Sequence, residues 1–173
     1  MDITVDFLHI TADFLLSSGI AIGWPDIFWG YEHGLLGWNA PVKFAQAKVT
    51  ASRHPDPLEI ELAAVTKDDD WKVRKLLQQM INLDFIPSGP SKSVWLYLTL
   101  LWTYEHRNEL DHPFSKAEEI YADFDYPEEI ISFAGYYAPD NSWNPQEHTD
   151  EENTSKVYAD WAKYLALAQR RLR

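Results

Sequence analysis

The feature of this sequence that most constrains its fold is a helical spacing of apolar residues between prolines. It is clearest in HPFSKAEEIYADFDYPEEIISFAGYYAP, residues 112–139. The apolar positions of its first half occupy i, i+3, i+4 and i+7 of one helix face, namely Ala117, Ile120, Tyr121 and Phe124. The same spacing returns in its second half at Ile130, Phe133, Ala134 and Tyr137. Two short helices with an aromatic inner surface are therefore predicted.

Capping patterns predict where these two helices begin. Ser115 and Glu118 form an S-x-x-E capping box, whose side chains pair with the free N–H groups of a first turn. The second helix is expected to begin at Asp125 or Tyr126, because Pro127 then lies in the first turn, where its missing N–H has no partner to lose. The outward-facing carboxylates that remain as candidates for partner binding are Glu119, Asp123, Glu128 and Glu129.

Similar patterns along the rest of the chain predict an all-α fold. Proline or a capping residue precedes several of the apolar stripes, as at Pro25, Asn39 and Asp56. An exposed loop is predicted over residues 140–153. Outside residues 112–139, helices are predicted over residues 3–17, 25–34, 39–49, 56–65, 71–82 and 93–109, and from Thr154 or Ser155 onwards. Neither a linker nor a fixed-period repeat divides the chain. The prediction is a single compact multi-helix domain of about eight helices over residues 1–173.

One segment leaves both helix and strand open. Residues 93–104, SVWLYLTLLWTY, are uncharged and rich in residues that favour strands, which fits a buried strand. Their length and the polar continuation EHRNE favour a buried helix. The helix is the prediction.

Acidic residues are concentrated in the second half of the chain. The net charge is −12, from 27 acids and 15 bases. Residues 105–160 hold 15 acids and three bases, whereas residues 161–173 hold four bases and no acid. An acidic field repels nucleic acid and anionic membranes and speeds association with a basic partner, although charge also serves solubility alone. We therefore expect a basic protein partner, and neither nucleic acid nor membrane.

The expected compartment is the cytoplasm. The chain has no Cys, which excludes a disulfide framework and a thiol nucleophile and is typical of a reducing cytosol. The longest uncharged runs, residues 14–25 and 93–104, hold twelve residues each. A membrane-spanning helix needs about 20 apolar residues. No Lys or Arg precedes Lys43, whereas a secretory signal begins with positive charge.

Catalytic patterns are weak in this sequence. It has no nucleophile elbow, no Walker loop and no dinucleotide-binding glycine motif. Glu109-x-x-His112 has the spacing used in di-metal helix bundles, but a second such motif is missing. A metal-dependent enzyme using Glu105, Glu109 and His112 stays as an alternative, as does an oxygen-ligand cation site formed by Asp123, Asp125, Glu128 and Glu129. The prediction is a protein that is not an enzyme and has no cofactor and no metal.

The aromatic residues between Trp24 and Trp38 fit either a ligand pocket or a packed core. Aromatic residues at helical spacing more often belong to the core. Trp29 falls on the outer side of the predicted helix, so it is the candidate for an exposed anchor that binds a partner.

Three motifs of this chain resemble one bacterial family. WPDIFWGYEHGLLGW (residues 24–38), WLYLTLLWTYEHRNE (residues 95–109) and YADFDYPEEI (residues 121–130) together resemble the bacterial domain-of-unknown-function family 2247, over most of the chain. The resemblance implies no catalytic residues, because the family has none assigned. Small acidic families of this kind often resemble immunity proteins of bacterial toxin loci, which bind and block a toxin domain. That analogy predicts a binding protein of the immunity type, with a housekeeping interaction domain as the alternative.

Overall fold

Every regular element in the part of the chain that the computed structural model describes, residues 8–83, 91–135 and 143–173, is a helix. The α-helices are α1 Ala12–Ser17, α2 Trp24–Glu32, α3 Asn39–Ala51, α4 Pro57–Ala63, α5 Lys72–Leu83, α6 Ser91–Glu105, α7 Pro113–Asp123, α8 Ile131–Ala134 and α9 Asp150–Leu172. Short 3-10 helices cover Lys67–Asp69, Glu128–Ile130 and Pro145–Glu147. The all-α prediction is confirmed, and residues 93–104 are helical.

The described residues divide after Trp95 into two compact units. The first unit contains α1 to α5 and the beginning of α6, and the second contains the rest of α6 and α7 to α9. The prediction of one domain over residues 1–173 stays a prediction.

Helix pairs build the first unit: α1 packs on α3, α3 on α4, α4 on α5, and α2 on α5. Trp24 at the start of α2 connects three of these helices. Its ring meets the edge of Phe44 on α3, with 5.3 Å between ring centroids, and its indole N–H donates to Glu59 Oε1 on α4 at 2.9 Å. Ile27 and Leu62 are fully buried beside these contacts along their own helices. The polar atom of this buried indole therefore has the partner that burial requires.

A glycine on α2 allows a tryptophan to pack against the helix backbone. A Cβ atom at Gly30 would lie 1.9 Å from Cζ2 of Trp95, so only glycine permits this approach. Trp95 is fully buried, and its indole N–H donates to the carbonyl oxygen of Asp26 at 2.7 Å. The contact fixes the beginning of α6 against α2 within the first unit.

Helix α9 is the element around which the second unit packs. Its fully buried Trp161 stacks on Phe133 of α8 at 5.3 Å and meets the edge of Tyr104 of α6 at 5.5 Å, measured between ring centroids. Tyr158, one turn earlier on α9, contacts Phe114 of α7 at 4.8 Å. Aromatic side chains therefore connect α6, α7 and α8 to one long helix.

Two predicted helix boundaries agree with the structure. Asp56 precedes α4, and its Oδ1 accepts from the N–H of Leu58 at 2.8 Å. Gly34 follows the end of α2 with a φ of +73°, in the left-handed region where glycine is favoured after a helix. Both positions were predicted from residue type alone.

The first and last helices begin at other residues than predicted. Residues 8–11 are not helical, and α1 begins at Ala12 after Thr11, whose Oγ1 accepts from the N–H of Phe14 at 3.2 Å. Residues 3–7 lie outside the described part of the chain. Helix α9 begins at Asp150, because Thr149 and Glu152 form a capping box within the predicted loop. The predicted loop over residues 140–153 is therefore wrong at its end.

Helix α7 begins two residues before the predicted capping box. Pro113 occupies the first turn, and His112 precedes it without a capping hydrogen bond from its side chain. Proline fixes φ at a helical value and needs no N–H partner there, so the helix begins at that residue. Ser115 and Glu118 consequently lie inside α7, and their assignment as a helix start is wrong.

Candidate functional site

The turn after α7 has an unusual backbone. The φ values of Asp125 and Tyr126 are +63° and +55°, both in the left-handed region. This conformation costs a residue other than glycine about 1–2 kcal/mol. Aspartate adopts it more readily than most residues, whereas a bulky tyrosine does so rarely. We call residues 123–129 the acidic turn.

Two backbone hydrogen bonds of the kind that end a helix hold the acidic turn. Tyr126 N–H donates to the carbonyl oxygen of Tyr121 at 2.9 Å, and Asp125 N–H donates to that of Ala122 at 3.2 Å. This pair of bonds is the Schellman motif, whose left-handed residue is Asp125 here. Neither Asp125 nor Tyr126 begins the next helix as predicted, because the 3-10 helix begins at Glu128 after Pro127.

Tyr126 projects from this turn into solvent. Its relative exposure is 64%, and its ring meets the edge of Tyr121 at 5.2 Å between centroids. Asp125 and Glu128, which flank it, are exposed as well. An exposed aromatic ring is therefore presented between carboxylates on a turn whose backbone is strained. The sequence prediction included Glu128 as a partner-binding residue but assigned Asp125 and Tyr126 to a helix start.

The four predicted partner-binding carboxylates lie on α7 and the acidic turn, all within the second unit. Glu119 is exposed and accepts from Lys116 Nζ at 3.1 Å. Glu129 is exposed and accepts from Arg171 Nη2 at 3.1 Å. Glu128 is exposed, and Asp123 is half-buried. Ion pairs at such exposure are weak, so a basic partner can replace them.

Trp29, the fifth predicted binding residue, belongs to the first unit and is half-buried. Its ring stacks on His33 at 3.8 Å and on Trp95 at 6.4 Å between centroids. The prediction of an exposed anchor is therefore not met. Helix periodicity alone places Trp29 on the outer side of α2, but Gly30 admits Trp95 beside it.

The predicted alternatives for metal binding are not assembled. Among the residues that the structure describes, no group of three or more His, Asp or Glu side chains lies close enough to hold a metal ion. This finding covers the predicted ligands Glu105 at the end of α6, Glu109, and His112 just before α7, because all three belong to the described residues. The ring of the neighbouring His106 stacks on Trp102 at 4.1 Å. The cluster of Asp123, Asp125, Glu128 and Glu129 does not form such a group either.

A second surface feature, which we call the α9 groove, was not predicted. It has a volume of about 650 Å³ and lies along α9 beside α8 and the 3-10 helix Glu128–Ile130. Its lining residues are Glu129, Ser132, Lys156, Asp160, Lys163, Tyr164, Leu167, Arg170 and Arg171. Bases outnumber acids among them. The sequence does contain a signal for this basic surface, because residues 161–173 hold four bases and no acid.

Tyr164 forms part of the buried side of the α9 groove. Burial strongly raises the pKa of its phenol, and the negative charge of Glu129 raises it further. The hydroxyl therefore stays neutral across the physiological range and is available to the groove as a hydrogen-bonding group.

None of the helices in residues 8–83, 91–135 and 143–173 is both long enough and apolar enough to cross a membrane.

Comparisons with known proteins give a family and no individual relative. The model of a family described as an uncharacterized protein conserved in bacteria (DUF2247) matches residues 12–169. No curated protein and no solved structure matches the chain significantly.

Proposed function

This chain belongs to the bacterial family DUF2247, and we propose that it is a protein-binding module whose acidic turn engages a basic surface of a partner protein. It acts by occupying that surface and needs no catalytic group of its own. By analogy with small acidic immunity proteins, the first candidate partner is a basic toxin domain that the bacterium must keep inactive. The expected place of this encounter is the cytoplasm.

The observation that carries this proposal is the exposure of Tyr126 on a strained turn. Strained residues persist where the surrounding structure holds them, and they cluster at functional sites. Tyrosine is also enriched among the few interface residues that supply most of the binding free energy. Tyr126 contacts the ring of Tyr121 across the Schellman motif, but this contact leaves most of the Tyr126 side chain exposed at a positive φ of +55°. A pocket on a partner gives this side chain a role.

The carboxylates around Tyr126 specify the charge of the partner. Asp125, Glu128 and Glu129 are exposed, and Glu119 is exposed on the preceding helix. Complementary charge accelerates encounter and excludes partners of the same sign. The partner surface should therefore present Lys or Arg side chains around an apolar pocket that accepts one tyrosine ring.

Co-expression with the product of a neighbouring gene is the first test. A basic toxin encoded beside this chain should arrest growth alone, and co-expression of this chain should restore growth. If no toxin gene lies beside the gene of this chain, that observation would instead favour a housekeeping interaction domain. Direct binding of the purified pair is then measured by calorimetry.

Charge reversal tests whether the acidic turn forms the contact. Glu119→Lys, Asp123→Lys and Glu128→Lys together should weaken binding at least about tenfold, because close charge pairs across an interface contribute more than about 1.4 kcal/mol in total. The matched control reverses three exposed acids of the first unit, Asp13, Glu61 and Asp68. Equal weakening by the control would show that net charge, and not the acidic turn, determines the affinity.

Salt gives an independent measurement. Raising ionic strength from about 0.05 to 0.5 M shortens the screening length from roughly 14 to 4 Å, so affinity for a basic partner should fall. The triple reversal should reduce that salt dependence. An affinity that does not change with salt would remove the electrostatic part of the proposal, and Tyr126→Ala would then test the aromatic contact alone.

A further inference from the structure

We propose that the α9 groove binds an acidic segment of a protein partner that carries an apolar side chain between its carboxylates. This inference goes beyond the function proposed above, because it concerns a neighbouring surface that shares Glu129 with the acidic turn but selects the opposite charge. It rests on the shape of the groove, two positive charges without an ion-pair partner among the described residues, and one exposed leucine.

The shape of the groove suits a segment of polypeptide. Its lining positions on α9 recur every three or four residues from Lys156 to Arg171, so they form one face of the helix. At 1.5 Å per residue this face is about 22 Å long. In the described part of the chain, the opposite side is formed by Ser132 of α8 and Glu129 of the preceding 3-10 helix. A groove that follows one helix face over this length fits a helical or extended segment better than a small molecule.

The groove contains positive charges that no described residue neutralises. Lys156 is paired with Asp160, and Arg171 with Glu129. Lys163 and Arg170 line the same groove and are exposed, and neither side chain forms an ion pair or hydrogen bond with any residue of the described ranges. Among the described residues, the groove therefore carries two cations without an ion-pair partner, in a chain whose net charge is −12. A basic segment is repelled there and an acidic one is attracted.

An apolar side chain lies between these two cations. Leu167 is 49% exposed, and it follows Lys163 by four positions and precedes Arg170 by three. All three residues therefore lie on one helix face, with the leucine in the middle. A ligand that uses both features has carboxylates on either side of an apolar side chain. A simple anion would leave Leu167 exposed and most of the groove length unused.

The test uses the full chain and a fluorescein-labelled peptide probe with the repeat Glu-Leu-Glu-Glu. Binding is measured by fluorescence polarisation. The leucine-free repeat Glu-Ala-Glu-Glu serves as the matched peptide and should bind several-fold more weakly. Lys163→Glu with Arg170→Glu should weaken binding of the first peptide at least tenfold. Lys43→Glu with Lys75→Glu changes the net charge equally at two exposed positions of the first unit and should have little effect.

Three results would overturn the proposal. The first is equal weakening by both pairs of substitutions, which would indicate a general charge effect. The second is displacement of the peptide by inorganic phosphate together with equal affinity for both peptides, which would indicate an anion site. The third is self-association in analytical ultracentrifugation that disappears in the Lys163→Glu, Arg170→Glu variant, which would identify a second copy as the occupant.

Further controls keep the measurement independent of folding and of the acidic turn. Circular dichroism should show unchanged helicity, and Lys163→Gln with Arg170→Gln replaces the reversal if it does not. Leu167→Ser should weaken binding of the peptide probe without changing the charge of the groove. Reversal of Glu119, Asp123 and Glu128 should not weaken peptide binding, so failure of this proposal and failure of the proposed function give different results.

Discussion

Two aromatic residues, one in each unit, are placed in opposite ways. In the first unit, Trp95 is fully buried against Gly30, its indole N–H is hydrogen-bonded, and the neighbouring Trp29 stacks on it. In the second unit, Tyr126 is 64% exposed on the acidic turn, although it lies in a motif as rich in aromatics. The difference arises in the backbone and not in the composition of the two motifs.

Glycine occurs at position 30, where close packing requires it, but not at position 126, where it would relieve backbone strain. At position 30 the absence of a Cβ atom allows Trp95 to reach the helix backbone. At position 126 a glycine would adopt the positive φ of +55° without strain, yet the residue is tyrosine. The first choice stabilises the fold. The second keeps a contact with Tyr121 despite the strain and leaves most of the ring exposed, which is why we propose that it serves binding.

The largest expected effect is that of Trp95→Ala. Removal of this buried ring should lower the free energy of unfolding by about 3–5 kcal/mol, because a cavity replaces a packed side chain and its hydrogen bond. Urea denaturation measures the change. Trp71 is 68% exposed and provides the same substitution on the surface, where Trp71→Ala should change stability by less than about 0.5 kcal/mol. Similar losses in both variants would remove the distinction between packed and exposed aromatics.

Gly30→Ala should have the next largest effect. Its Cβ atom would overlap the Trp95 ring, and such overpacking costs roughly 1–3 kcal/mol. Gly37→Ala is the control, because a Cβ atom there meets only Asn39 Oδ1 at 3.5 Å, an ordinary contact. In a Trp95→Leu background, Gly30→Ala should be much less harmful. If the loss were the same in that background, the cause would not be the tryptophan.

Tyr126→Gly should change stability much less than either substitution above. Glycine removes a strain of about 1–2 kcal/mol but adds roughly 0.5–1 kcal/mol of unfolded-state entropy. Tyr126→Ala removes the same ring and keeps the strain. The glycine variant should therefore be as stable as the alanine variant or about 1 kcal/mol more stable in urea denaturation, while both lose affinity for the partner. A glycine variant clearly less stable than the alanine variant would show that the turn is not strained.

Much of the fold could be predicted from local signals. Apolar spacing predicted most helices, and residue types predicted the helix ends at Asp56 and Gly34. Competing local signals caused the errors. Pro113 determined the start of α7 ahead of the Ser115 capping box, and the capping residue Thr149 lay in an acidic segment that resembled a loop.

The candidate site depended more on contacts between residues far apart in sequence. Exposure of Glu119, Glu128 and Glu129 followed from helix periodicity, and the structure agrees. Trp29 is half-buried against His33, four positions later, and against Trp95 of α6, and no pattern within α2 indicates the second contact. The left-handed φ of Tyr126 has no residue-type signal, because tyrosine rarely adopts it. The α9 groove brings Glu129 and Ser132 against one face of α9, and no local pattern indicates that these segments meet.

The smallest expected effect concerns Glu152, whose carboxylate caps a helix, in contrast to the carboxylates of the acidic turn. Glu152 Oε2 accepts from the N–H of Thr149 at 2.9 Å and from its hydroxyl at 3.2 Å, and these bonds lower the pKa of Glu152 below its ordinary value of 4.5. Because the pKa is lower in the folded chain, this stabilisation is present above the ordinary value and disappears as the pH falls through the lowered one. Glu152→Gln should therefore lower Tm at about pH 7 and have no effect at about pH 2. Glu151→Gln removes an exposed neighbouring carboxylate of the same helix turn that lies outside the capping box, and it should lower Tm at about pH 7 less than Glu152→Gln does. A deficit of the Glu152 variant that persists in acid would mean that the capping box does not depend on the ionised carboxylate.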